Sequence, residues 1–116
     1  MTWVGTYILD DDGNPVLADT LTWARWFETH ERHVADTDLG AYGRVSTVFL
    51  GLDHNFLGIV NPITYRPILW ETMVFGGPLD GETRRYASRA EAQDGHDEMV
   101  AEAKLVKSIN EEVHRK

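Results

Sequence analysis

Asp53, His54 and Asn55 stand side by side and offer a carboxylate, an imidazole and an amide, the groups that proton transfer and ligand binding use. An Asp beside a His supplies an acid/base pair, and the Asn amide can donate to a developing negative charge. The trio, followed by Phe56, comes directly after the apolar run Arg44 to Leu52, where a rigid strand would present side chains from its end. Neighbours on an extended chain point to opposite sides, however, and Asp and Asn at a strand end are also ordinary turn formers. Glu71 is the second candidate. It shares a strand face with Leu69, Met73 and Phe75, so it is either at a solvent edge or buried and paired, and Arg44 is its expected partner. A buried Glu facing a pocket would have a raised pKa. The candidate binding set is therefore Arg44, Asp53, His54, Asn55 and Glu71, with no residue assigned a catalytic role.

His30 and His33, three residues apart near a helix end, could share a metal, but no third ligand lies close in sequence and each could equally satisfy helix carbonyls. Asp10-Asp11-Asp12 fails as a calcium loop, because Pro15 and Val16 sit where ligands belong and no Glu closes the spacing. The sequence has no phosphate-binding glycine loop, no nucleophile elbow and no zinc-protease helix motif. Without Cys, disulfides, thiolate metal sites and Cys nucleophiles are excluded. No metal or cofactor is expected.

The elements that must position these residues can be read from periodicity. Residues 2–9 and Val16-Leu17 flank Asp12-Gly13, a hairpin signal in which Gly accepts positive φ. Asp19 or Thr20 caps a helix to about Glu31, with Leu21, Trp23, Ala24, Trp26, Phe27 and His30 forming a wide stripe that should lie flat on a sheet. His33 to Thr37 reads as a short strand and Leu39 to Gly43 as a turn. Arg44 to Leu52 is the strongest strand and should be central and covered. Asp53 to Tyr65 reads as a loop. Pro67 to Phe75 is a strand with Ile68, Trp70, Thr72 and Val74 on one face. Gly76-Gly77-Pro78 and Asp80-Gly81 reverse the chain into a strand around Thr83 to Ala87. Ser88 to Glu91 is a capping box opening a long helix, with Met99, Ala103, Val106, Ile109 or Asn110, and Val113 at helical spacing. Gly95 within it predicts a kink or close packing. The order predicts a single α+β domain over residues 1–116: a mainly antiparallel sheet with a short helix and a long C-terminal helix on one face.

The whole chain has 116 residues, 42% hydrophobic and 26% charged, with a net charge of −8. That balance is globular rather than disordered. The charge opposes phosphate backbones, so direct nucleic-acid binding is not expected. It is also uneven: residues 1–24 hold four Asp and no Lys or Arg, and residues 90–103 hold five acids and neither base. In the final helix acids crowd the first half and Lys104, Lys107, Arg115 and Lys116 the second, as the helix dipole prefers. No apolar run is long enough to cross a bilayer, and the start lacks the pattern of a secretory signal, so the expected location is the cytoplasm.

Three stretches, Thr22 to Glu28, Arg44 to Phe56 and Glu71 to Gly77, together with the Tyr86 to Val100 segment, resemble a family of small uncharacterised bacteriophage and prophage proteins. The resemblance covers most of the chain, although Leu57 to Tyr65 is longer than the family's pattern. It implies a phage accessory product working in bacterial host cytoplasm, and carries no activity, cofactor or site residue with it. The leading expectation is a small, acidic, non-catalytic protein that binds a host or phage protein. The alternatives are a small enzyme or nucleotide- or metal-binding protein with a pocket around Asp53, His54, Asn55 and Glu71, and a homodimer formed through an exposed strand.

Overall fold

The computed structural model describes residues 5–53 and 66–114. His54, Asn55 and the rest of the predicted loop up to Tyr65 lie outside the described residues. Strands β1 (Tyr7–Leu9) and β2 (Pro15–Leu17) pair as the expected hairpin around Gly13. They form a small sheet of their own. A second, four-stranded antiparallel sheet has the order β3-β4-β5-β6. Its strands are β3 (His33–Asp38), β4 (Arg44–Phe49), β5 (Trp70–Phe75) and β6 (Thr83–Tyr86). Two helices complete the α+β fold: α1 (Thr20–Thr29) and the long α2 (Arg89–His114).

Strand β4 is central, as its apolar run requires, with β3 and β5 on its two sides. It stops at Phe49 rather than Leu52 because the chain must turn at Gly51, whose φ of 69° suits only glycine. A Cβ there would also fall 2.7 Å from the Tyr7 carbonyl oxygen and closer still to the Trp23 ring. The hairpin runs beside this turn, with the Tyr7 N–H donating to the Gly51 carbonyl at 2.7 Å. Strand β5 begins at Trp70, and Leu69 before it leaves the predicted alternation to join Phe49, Trp70 and Ala92 in the core.

Helix α2 packs on one face of the sheet and touches all four strands. Its sheet-facing seam is Ala92, His96, Met99 and Ala103, four residues at alternating four- and three-residue spacing, all buried. Opposite them lie Val45, Thr47, Phe49, Trp70, Thr72 and Val74, which share one face because β4 and β5 pair in the registers Val45↔Val74, Thr47↔Thr72 and Phe49↔Trp70. Gly95 is close packing and not a kink. A Cβ at this position would overlap the Tyr86 ring and hydroxyl, so its absence lets β6 approach the helix.

At the start of α2 the Ser88 hydroxyl accepts from the Glu91 N–H at 3.1 Å, the expected half of the capping box. The other half is rearranged: the Glu91 carboxylate takes the Ser88 hydroxyl and the Arg66 guanidinium. Helix α1 is N-capped by Asp19, whose carboxylate accepts from the Thr22 N–H. None of its residues is fully buried. Trp26 and Phe27 reach Phe49 with ring centroids 5.8 and 6.2 Å apart, so α1 covers one end of the core through its aromatics rather than lying flat across the sheet.

Candidate functional site

Of the sequence-predicted residues, the three that are described, Arg44, Asp53 and Glu71, go to separate places. Asp53 is buried, with one carboxylate oxygen accepting from the Ile68 N–H at 2.9 Å and its own N–H donating to the Gly5 carbonyl at 3.1 Å. It ties together three segments: the chain before β1, the end of the β4 extension and the approach to β5. Its charge, after burial itself, raises the pKa of Tyr7. These contacts join segments distant in sequence, unlike the local turn that the sequence suggests for this position.

Glu71 is paired, as expected, but not with Arg44. Its partner is Arg85 on the neighbouring β6, with Nε to Oε2 at 3.0 Å. The register accounts for this: Glu71 sits opposite Arg85 and Val48, while Arg44 sits opposite Phe75. Four strand positions, about 13 Å at the usual rise, therefore separate Arg44 from Glu71 along the sheet. Arg44 instead holds Asp36 on β3, with Nε to Oδ1 at 2.7 Å, and this hydrogen bond keeps the Asp36 carboxyl below its usual pKa. Both pairs are partly exposed and cross strands on the sheet face away from α2. His30 faces the Trp26 carbonyl and His33 the Glu31 carboxylate, so each has a local partner of its own. Among the described residues no cluster of His, Asp or Glu is arranged to hold a metal ion.

A different group of polar residues does come together, under α2. His96 is 2% exposed and contacts a threonine with each ring nitrogen: Nδ1 lies 2.8 Å from Thr47 Oγ1 and Nε2 lies 2.9 Å from Thr37 Oγ1. Thr47 is hydrogen-bonded to Thr72, directly opposite it in the register, and Tyr86 donates its hydroxyl to Thr72 at 3.1 Å. One chain of hydrogen bonds thus runs from β6 through β5 and β4 to the helix and on to β3. Burial lowers the His96 pKa, against the weaker opposing pull of Asp97 and Asp36. The ring is therefore neutral near pH 7, with one donor and one acceptor nitrogen.

The proton order follows from burial. With Nε2–H, Thr72 donates to Thr47, Thr47 to Nδ1, and Nε2 to Thr37, leaving only the Thr37 hydroxyl proton to water. With Nδ1–H, and Tyr86 donating to Thr72 as it does here, the leftover proton would belong to Thr72, which is fully buried. Thr37 is half-buried and can reach solvent, so the Nε2–H tautomer is the satisfied one. This network was not among the sequence-derived candidates. Its signal was His96 itself, placed in the apolar seam between Ala92 and Met99, with threonines on the buried faces of two adjacent strands. Enclosed as it is, the network fits α2 to the sheet and offers no face to a ligand.

Among the described residues the polar candidates have partners, and another feature is apolar. From Lys104 onward no described residue of α2 is buried, and Leu105, Ile109 and Val113 are 60%, 53% and 63% exposed. Their four-residue spacing puts all three on one stripe. Beside the stripe's first turn is a cavity of about 280 Å³ lined by Leu79, Glu82, Arg84, Glu102, Leu105 and Val106. Arg84 and Glu102 are bound to each other in its wall.

No family model matches the chain, and neither a curated protein nor a solved structure is found to be similar to it. Among the described residues no helix is long and apolar enough to cross a membrane.

Proposed function

We propose that this chain is a small, acidic, non-catalytic accessory protein that acts by binding another protein along the exposed stripe of α2. One observation carries the reading: Leu105, Ile109 and Val113 are aligned and exposed on a face of α2 that the sheet does not cover. Scattered surface aliphatics are normal, but an aligned group beside a cavity is the usual mark of a contact surface. The net charge of −8 argues against a nucleic-acid partner. The resemblance to small bacteriophage and prophage proteins supports a host or phage protein as the partner, met in bacterial cytoplasm.

The test is photo-crosslinking in bacterial cells with the reactive amino acid at position 109, and at Lys107 on the opposite side of the helix as control. The reading expects one or a few discrete adducts from position 109 and none of these from position 107. Equal adducts from both positions, or none from position 109, would remove its basis.

A further inference from the structure

We infer that the Ile109 face of α2 is built for a basic amphipathic helix of another protein, an inference that rests on the binding function proposed above. At about 100° per residue, Leu105 and Val113 lie within about 40° of Ile109 around the helix axis, and Glu98 and Glu102 within about 20°. Glu112 is about 60° away, whereas Lys104 and Lys107 are about 140° and 160° away, on the far side. The sheet-facing seam of Ala92, His96, Met99 and Ala103 is roughly a quarter-turn from Ile109, so the sheet does not occupy this face. The resulting row reads Glu98, Glu102, Leu105, Ile109, Glu112 and Val113: an apolar strip entered and flanked by carboxylates.

The cavity beside the row adds Glu82 to the same rim. Among the described residues Glu82, Glu98 and Glu112 form no ion pair, and Arg84, the cation in the cavity wall, is taken by Glu102. An apolar surface bordered by uncompensated carboxylates selects a ligand with an apolar face bordered by Lys or Arg, because like charges across a contact are costly. A helix supplies that pattern at i, i+3, i+4 and i+7, and a large apolar side chain in the cavity would anchor it. A second copy of this chain fails the same criterion. Two such faces would bring carboxylates together, with Lys104 on the far side of each helix and Lys107 over its own Tyr42 ring.

The probe is a fluorescein-labelled 18-residue peptide of Leu and Lys patterned as an amphipathic helix. Its controls are the same pattern with Glu for Lys and a scrambled Leu/Lys sequence, all measured by anisotropy with amide chemical-shift mapping of the protein. The expected result is binding of the patterned basic peptide alone, with shifts centred on residues 102–113. Affinity should fall at least tenfold in Ile109→Ser and severalfold in the double variant Glu98→Gln/Glu112→Gln. Equal binding by the scrambled peptide, equal binding by the Leu/Glu peptide, shifts centred elsewhere, or concentration-dependent self-association through residues 102–113 would each overturn the inference. The two readings can also fail separately. A position-109 crosslink to a protein whose contact is not a basic helix sinks the partner class and leaves the binding function standing, whereas absence of any crosslink sinks the function itself.

Discussion

Protonating His96 would force both ring nitrogens to donate, so Thr47 could no longer donate to Nδ1 and the order of hydroxyls through Thr72 to Tyr86 would have to reverse. Burial opposes the same protonation, because the charged ring would be held away from water, and this lowers the pKa. The linkage has a definite sign. Unfolded chain takes up the proton below about pH 6.5, and the fold takes it up only at lower pH, so stability is lost as pH falls through that interval and is level above it. Urea unfolding should therefore give a smaller unfolding free energy at pH 5.5 than at pH 7.5, and His96→Gln should flatten the dependence between these values. That window separates His96 from Asp36 and Glu91, whose lowered pKa values act only in more acid solution. A nitrogen-15 spectrum of the imidazole at pH 7.5 should show the Nε2–H tautomer. A wild-type profile flat from pH 7.5 to 5.5 would mean that the ring is not held neutral. Thr47→Val isolates one link: it leaves Nδ1 and the Thr72 hydroxyl proton buried without partners, and should cost about 1–3 kcal/mol.

At the level of elements, α2 and the sheet are fitted by absence as much as by contact. Gly95 in a helix interior would ordinarily be improved by alanine by up to about 1 kcal/mol. Here the added methyl would meet the Tyr86 ring, so Gly95→Ala should destabilise by about 1–3 kcal/mol, the usual range for overpacking. The companion variant Gly95→Ala/Tyr86→Leu should recover part of the loss. A neutral or stabilising Gly95→Ala would show that α2 sits farther from β6 than described. The elements themselves were legible because their signals are local: Asp-Gly in the hairpin, the apolar run of β4, the alternation of β5, the Ser88–Glu91 cap. The pairings were not. Whether Arg44 meets Glu71 or Asp36 depends on register, and register comes from long-range pairing that spacing along the chain does not encode. For the same reason His96 was invisible as a site. Its partners lie 59 and 49 residues away on two different strands.

For the molecule as a whole, the question is where acidity is left over once internal ion pairs are counted. Arg44, Arg66, Arg84 and Arg85 are each committed to a carboxylate, Lys104 lies on the far side of α2 from Ile109, and Lys107 stands over the Tyr42 ring. The unbalanced charge thus faces outward along the hairpin tip and the row from Glu98 to Glu112. The periodicity of the last helix was readable from the sequence, but its faces were not: the sheet-facing register of Met99 and Ala103 continues as half-buried Val106 and Asn110, while Leu105 and Ile109 stand exposed on another face. Charge of one sign on an apolar stripe keeps copies apart at low ionic strength and lets them approach as salt screens it, over a Debye length of about 10 Å at 0.1 M. Light scattering at micromolar concentration should therefore find monomer in 50 mM salt. Binding of the basic partner should weaken as salt rises, the trend a charge-matched contact gives. Because the stripe is exposed, Leu105→Ser/Ile109→Ser/Val113→Ser should leave the melting temperature within a few degrees of wild type while abolishing binding of the basic helical peptide. A large fall in melting temperature would place these side chains in the protein's own core. A dimer in low salt that survives the triple substitution would place self-association on another surface, the outer strands β3 and β6 of the described sheet being the first to examine.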